Sequence, residues 1–132
     1  MNINFVHLGA GAADLDEGAN FRCGFTEFIK RKYNKNSNVY LVEANPKNIE
    51  KLKVSYKNFK NINIFNFAIS TKNIDELKFF YSEKDAPHYQ VCSVDINHVR
   101  KHYPNSKIES FTINAININE FIRKHTSNNI NY

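Results

Sequence analysis

The sequence has no tryptophan, one methionine, three prolines, four glycines and two cysteines among its 132 residues. Cys23 and Cys92 stand far apart and in no metal-type spacing, which excludes a disulfide framework and a zinc site. Reduced thiols are the default in the cytosol. No run approaches the roughly 18 apolar residues that span a bilayer. The N-terminus also lacks the basic segment and long apolar stretch of a signal peptide. These absences predict a soluble, cytoplasmic protein with no membrane partner and no metal.

Hydrophobic residues make up 42% and charged residues 23%, which suits one modest core and argues against wholesale disorder. The formal net charge is +5. The lysines are spread along the chain, which speaks against a nucleic-acid partner. The densest cluster, Lys30-Arg31-Lys32 followed by Lys35, falls at an expected helix end, where cations complement the helix dipole. The abundance of Asn, Ile and Lys is read as coding bias.

Residues 2–8 read as a buried strand through Ile3, Phe5, Val6 and Leu8. The strand stops at Gly9-Ala10-Gly11, and residues 14–22 form a polar loop. Phe25, Phe28, Ile29 and Tyr33 recur at helical spacing and predict a helix over 24–33. Residues 39–42 form a second strand closed by Glu43. Asn45-Pro46 then starts a helix, with Asn as cap and Pro in the first position. Residues 61–69 read as a third strand. The order strand–helix–strand–helix–strand predicts a parallel βαβαβ unit with right-handed crossovers. Beyond Ser70 the pattern predicts strands at 77–81, 91–94 and 111–116 and a turn at Asp85-Ala86-Pro87. A short helix is expected at 96–103 and another capped by Asn119, before a frayed tail over 126–132. The resulting division is 1–70 for the βαβαβ half and 71–125 for a strand and helix extension.

Three constellations carry chemistry. Gly9 and Gly11, directly after a strand, let the backbone turn sharply and approach a ligand. A full G-x-G-x-x-G is absent, because Asp14 stands at the third glycine position, where a carboxylate repels a pyrophosphate. That disfavours a nicotinamide-dependent oxidoreductase. Glu43, at the end of the second strand, is placed to accept ribose hydroxyls, and ligands of open α/β sheets bind at such strand ends. Asn66 and Ala68, at the end of the third strand, offer an amide and a small side chain for an adenine. Each signal alone also suits an ordinary turn or strand end; together, in this order, they specify a nucleoside-type site.

The stretch from Val6 to Ser70 resembles the FkbM-type methyltransferases. The resemblance rests on Gly9-Ala10-Gly11, on Glu43-Ala44-Asn45-Pro46 with Ile49 and Leu52, and on Asn66-Phe67-Ala68-Ile69-Ser70. It implies a Rossmann-like fold that binds S-adenosylmethionine and transfers its methyl group to a hydroxyl of a sugar or small metabolite. By the same resemblance Gly9 and Gly11 lie at the methionine end of the cofactor; Ala10 between them and His7 before them are further candidate contacts, His7 reading equally as a buried structural histidine. Glu43 holds the ribose, with Ala44 a candidate contact beside it, and the segment from Asn66 to Ala68 borders the adenine. The family carries Asp where this chain has His7, and its 14–22 loop is shorter. Asp14, Asp16 and Glu17 are candidates to face the cofactor's positive charge. The family's later Asp-x-Glu-Gly strand does not occur before Tyr132. The fold is therefore expected to be incomplete, a fragment whose acceptor half comes from a missing C-terminal segment or a partner chain. The alternative is a noncatalytic nucleoside-binding remnant or structural subunit. His88, His98 and His102 are all available as general base, and the sequence selects none of them.

Overall fold

The computed structural model describes residues 3–15, 23–32, 36–86 and 88–126. β1 (Ile3–Leu8), α1 (Gly24–Lys32), β2 (Ser37–Val42), α2 (Pro46–Ser55) and β3 (Ile62–Phe65) follow in the expected alternation. The three strands form a parallel sheet with β2 in the middle. Leu8 is in register with Val42, and Val42 with Phe65.

Strand alternation sorts the side chains onto two faces. Phe5, Val39, Leu41, Ile62 and Ile64 pack with Ile29 of α1 and with Leu52 and Tyr56 at α2. Val6, Tyr40, Val42 and Phe65 face the opposite way, towards Phe121 and Ile122. Those two belong to α4 (Ile118–His125). A parallel sheet is stable when both faces are covered, and here α1 and α2 cover one face and α4 the other.

The expected strand over 61–69 is two strands. It breaks after Phe65, and β4 (Ala68–Ser70) joins a second, three-stranded sheet. The break has a local cause. β2 ends at Val42, and Glu43 N–H makes the last ladder bond to the Phe65 carbonyl at 3.0 Å. Asn66 then finds no strand beside it, and its amide donates to the Glu43 and Ala44 carbonyls at 2.9 and 3.2 Å. In the second sheet β5 (Glu76–Ser82) is antiparallel to β6 (Ile108–Asn117), and β4 is parallel to it. The directly paired rings of Phe79 and Phe111 stack at 5.5 Å.

Other expectations shift as well. Of residues 91–94 only Ser93 pairs, exchanging two backbone hydrogen bonds with Phe80. α3 (Ile96–His102) starts at its Asp95 cap. Asn117, two residues before Asn119, caps α4 by accepting the Asn119 N–H at 2.9 Å. Thr126, expected to begin a frayed tail, is fully buried and donates its hydroxyl to the Ile122 carbonyl at 2.7 Å. Asn2, Tyr33, Pro87, residues 16–22 and residues 127–132 lie outside the described residues, and with them several expected ends, Asp16 and Glu17. Among the described residues no helix is long and apolar enough to cross a membrane.

Candidate functional site

The glycine turn is fixed by its own backbone. Gly9 and Gly11 have φ values of +72° and +59°, the left-handed region where a Cβ is penalised. The Gly9 and Ala10 N–H groups both donate to the Val42 carbonyl, at 2.8 and 3.0 Å. The Gly11 N–H donates to Glu43 Oε2 at 2.7 Å. The other carboxylate oxygen, Oε1, accepts the Asn45 N–H at 2.7 Å. Glu43 is 7% exposed, so both hydrogen bonds form in largely desolvated surroundings, where a charged acceptor is most effective. One carboxylate thus clamps the turn after β1 to the turn before α2. Asn45 continues the chain of contacts, because its side chain accepts the Lys47 N–H and caps α2, with Pro46 in the first turn.

Beside this clamp lies a cleft of about 760 Å³, within the usual range for small-molecule sites. His7, Gly9, Ala10, Gly11, Glu43, Ala44 and Ala68 all line it, seven of the eight residues singled out from the sequence. Asn66 does not. It stands behind the wall, where its amide N–H groups hold the Glu43 and Ala44 carbonyls. Asp14 lies in a 3₁₀ turn, Ala13–Leu15, next to the glycines.

Two further parts of the wall were not assigned to the site from the sequence, apart from His88 as one of three candidate bases. Phe25 of α1 lies against His7 with ring centroids 4.3 Å apart. Among the described residues His7 Nδ1 is buried with no hydrogen-bond partner, and burial holds the imidazole below its ordinary pKa. The other part is the β5–α3 connection, which contributes His88, Tyr89, Gln90 and Cys92. Asp85, read from the sequence as part of an exposed turn, is 3% exposed and anchors this connection. Its carboxylate accepts the Val91 N–H at 2.7 Å and the Tyr103 hydroxyl at 2.9 Å. Its carbonyl accepts the N–H groups of His88 and Tyr89. Cys92 is pushed up to about 12, first by burial and then by the Glu43 and Asp85 carboxylates, so its thiol stays protonated.

The structure also separates the three histidines left open by the sequence. His88 lines the cleft, whereas His98 and His102 are exposed on α3 with their rings 4.9 Å apart. Among the described residues no group of three or more His, Cys, Asp and Glu is placed to hold a metal ion.

The chain is an α/β protein with a cleft at the C-terminal ends of parallel strands. No protein-family model, curated protein or solved structure matches the chain.

Proposed function

We propose that the cleft binds S-adenosylmethionine and that the chain is the cofactor-binding part of a Rossmann-like methyltransferase acting on a hydroxyl of a sugar or small metabolite. The observation that carries this reading is the Glu43 carboxylate, held at 2.7 Å from both the Gly11 and Asn45 N–H groups at the edge of the cleft.

A dinucleotide-binding turn directs its N–H groups at a pyrophosphate. Here the N–H groups of Gly9, Ala10 and Gly11 are directed at Val42 and Glu43. An anionic diphosphate would meet a carboxylate where it needs donors. A nucleoside with ribose hydroxyls and a positively charged substituent fits the same surface: the carboxylate accepts hydroxyls and attracts the cation. A Cβ built on Gly9 or Gly11 meets nothing within 4 Å, so the turn leaves open space beside the backbone. Ala68, a small side chain, lines the same cleft.

When bound, S-adenosylmethionine supplies a methyl group for in-line transfer to a nucleophilic oxygen. The chain's residues position and shield that reaction. Phe25, Phe67 and Phe79 line the cleft with apolar surface that excludes water. His88 takes the general-base role, receiving the acceptor's hydroxyl proton. The two free thiols suit a reducing compartment, and we place the protein in the cytoplasm.

Calorimetric titration with S-adenosylmethionine, S-adenosylhomocysteine and NAD tests the proposal. Heat with the two adenosyl ligands and none with NAD is expected. No heat with either adenosyl ligand overturns it.

A further inference from the structure

Two histidines stand together outside the cleft. His98 and His102 are four residues apart on α3, which sets them one above the other on a single helix face. Both are exposed, whereas Val99 between them is fully buried and anchors the inner side of the helix. Their ring centres are 4.9 Å apart and their planes are inclined at 57°, so the rings do not stack.

That separation suits one shared metal ion. An imidazole nitrogen binds zinc at about 2.0–2.1 Å. An ion so placed lies about 3.2 Å from each ring centre, which sets the two centres about 4.5 Å apart for a right angle at the ion and about 5.2 Å apart for a tetrahedral one. The observed 4.9 Å falls between these values. Because both side chains are exposed, each ring can turn a nitrogen to the common point without displacing a packed neighbour.

The local field favours a cation. His102 is the last residue of α3, at the end of the helix that carries partial negative charge. Asp95, three residues before His98 and on the same face, brings a carboxylate that caps the helix by accepting the Asn97 N–H at 2.9 Å. Arg100 and Lys101 are exposed on the same turn, and their long side chains carry their charges out into water.

We propose that His98 and His102 form a two-nitrogen chelate for a divalent ion of the nickel, copper and zinc group. Imidazole suits these ions, whereas magnesium and calcium take oxygen ligands. No third His, Cys, Asp or Glu joins the pair among the described residues, so water completes the coordination. The site is separate from the cleft, which neither residue lines, and it requires nothing of the cofactor reading. An ion bridging residues 98 and 102 staples the last turn of α3. The next residue, Tyr103, donates its N–H to the Val99 carbonyl and its hydroxyl to Asp85, the anchor of the β5–α3 connection. The ion therefore stabilises the turn from which Tyr103 holds that part of the cleft wall.

Calorimetric titration with nickel, zinc and magnesium chlorides tests the proposal. Nickel and zinc are expected to bind, and magnesium is not. His98→Gln and His102→Gln each leave one imidazole, and each is expected to weaken nickel by roughly tenfold or more, because the second nitrogen no longer binds at high effective concentration. Arg100→His combined with His102→Gln keeps the number of histidines but moves one ring to another side of the helix, and is expected to bind as weakly as His102→Gln. In NMR spectra zinc is expected to shift the ring resonances of His98 and His102 before those of His7 and His88. All the substituted positions are exposed, so unchanged circular dichroism is expected throughout. No nickel binding by the wild type, undiminished affinity in either single variant, recovery of affinity with Arg100→His, or earlier shifts at His7 or His88 overturns the inference.

Discussion

Replacing Glu43 with Gln tests the joint on which the cleft is built. The side chain keeps its length and shape and loses its charge and one acceptor. In the native protein Oε2 accepts from Gly11 and Oε1 from Asn45, each at 2.7 Å, with the residue 7% exposed. A hydrogen bond to a charged group contributes about 1.5–3 kcal/mol, a neutral one about 1 kcal/mol. Gln satisfies one N–H through its amide oxygen and turns its NH2 towards the other, so that two donors face each other. One charge-assisted bond becomes a neutral one, and a second becomes a buried unsatisfied donor. The expected loss is about 2–4 kcal/mol, a large share of the roughly 5–15 kcal/mol that holds a domain folded. Urea unfolding followed by circular dichroism reads it as a lower midpoint at unchanged slope. A loss below about 0.5 kcal/mol, the scale of an ordinary surface substitution, would refute the idea that this carboxylate holds the glycine turn. Calorimetry on the same variant separates the roles: normal affinity for S-adenosylhomocysteine would make Glu43 a brace without ribose contact.

Gly11→Ala is expected to cost about 1–2 kcal/mol, because φ is +59° and no contact compensates, whereas Gly24→Ala at the start of α1 should be neutral or stabilising; equal denaturation midpoints would contradict this. Phe121→Ala should cost about 3–5 kcal/mol, since the ring is fully buried and meets Phe65 and Phe67 edge-on at 5.6 and 5.9 Å; a cost below about 1 kcal/mol would mean that α4 does not seal that face. Cys92 should resist alkylation at pH 8, because a thiol pushed up to about 12 leaves roughly one molecule in ten thousand ionised; mass spectrometry showing labelling as fast as that of a model thiol would refute its burial.

Where a feature depends on near neighbours, the sequence discloses it. Asn45-Pro46 is a helix start by its own chemistry, and the structure has Asn45 accepting the Lys47 N–H. Gly9 and Gly11 stand where the chain needs positive φ. Glu43 was legible as a strand-end carboxylate, though not as the acceptor of two backbone N–H groups. The break between β3 and β4 was hidden because apolar residues continue through 61–69, while its cause is a pair of carbonyls more than twenty residues earlier. Asp85 looked like a turn residue because its partner Tyr103 lies 18 residues away. Asn117 and Asn119 are the same residue type two positions apart, and only the end of β6 decides which one caps α4.

The two walls of the cleft come from different sheets, and the first turn of α2 ties them together. Glu43 clamps the glycine turn and receives the Asn45 N–H, and Asn45 caps the helix. Lys47 then reaches across to the second sheet. Its ammonium donates to the Tyr81 hydroxyl at 3.1 Å and lies 4.9 and 5.3 Å from the ring centres of Tyr81 and Tyr89. Tyr81 in turn donates to Glu109 of β6 at 2.7 Å. These contacts with the two tyrosines raise the Lys47 pKa and keep the ammonium charged. Tyr89 lines the cleft from the β5–α3 connection, whereas Lys47 does not. The alternate residues 43, 45 and 47 thus fix the glycine turn, the helix start and the opposite wall in sequence. A ligand held between Glu43 and the β5–α3 connection closes this circuit, so its binding free energy also opposes separation of the two sheets.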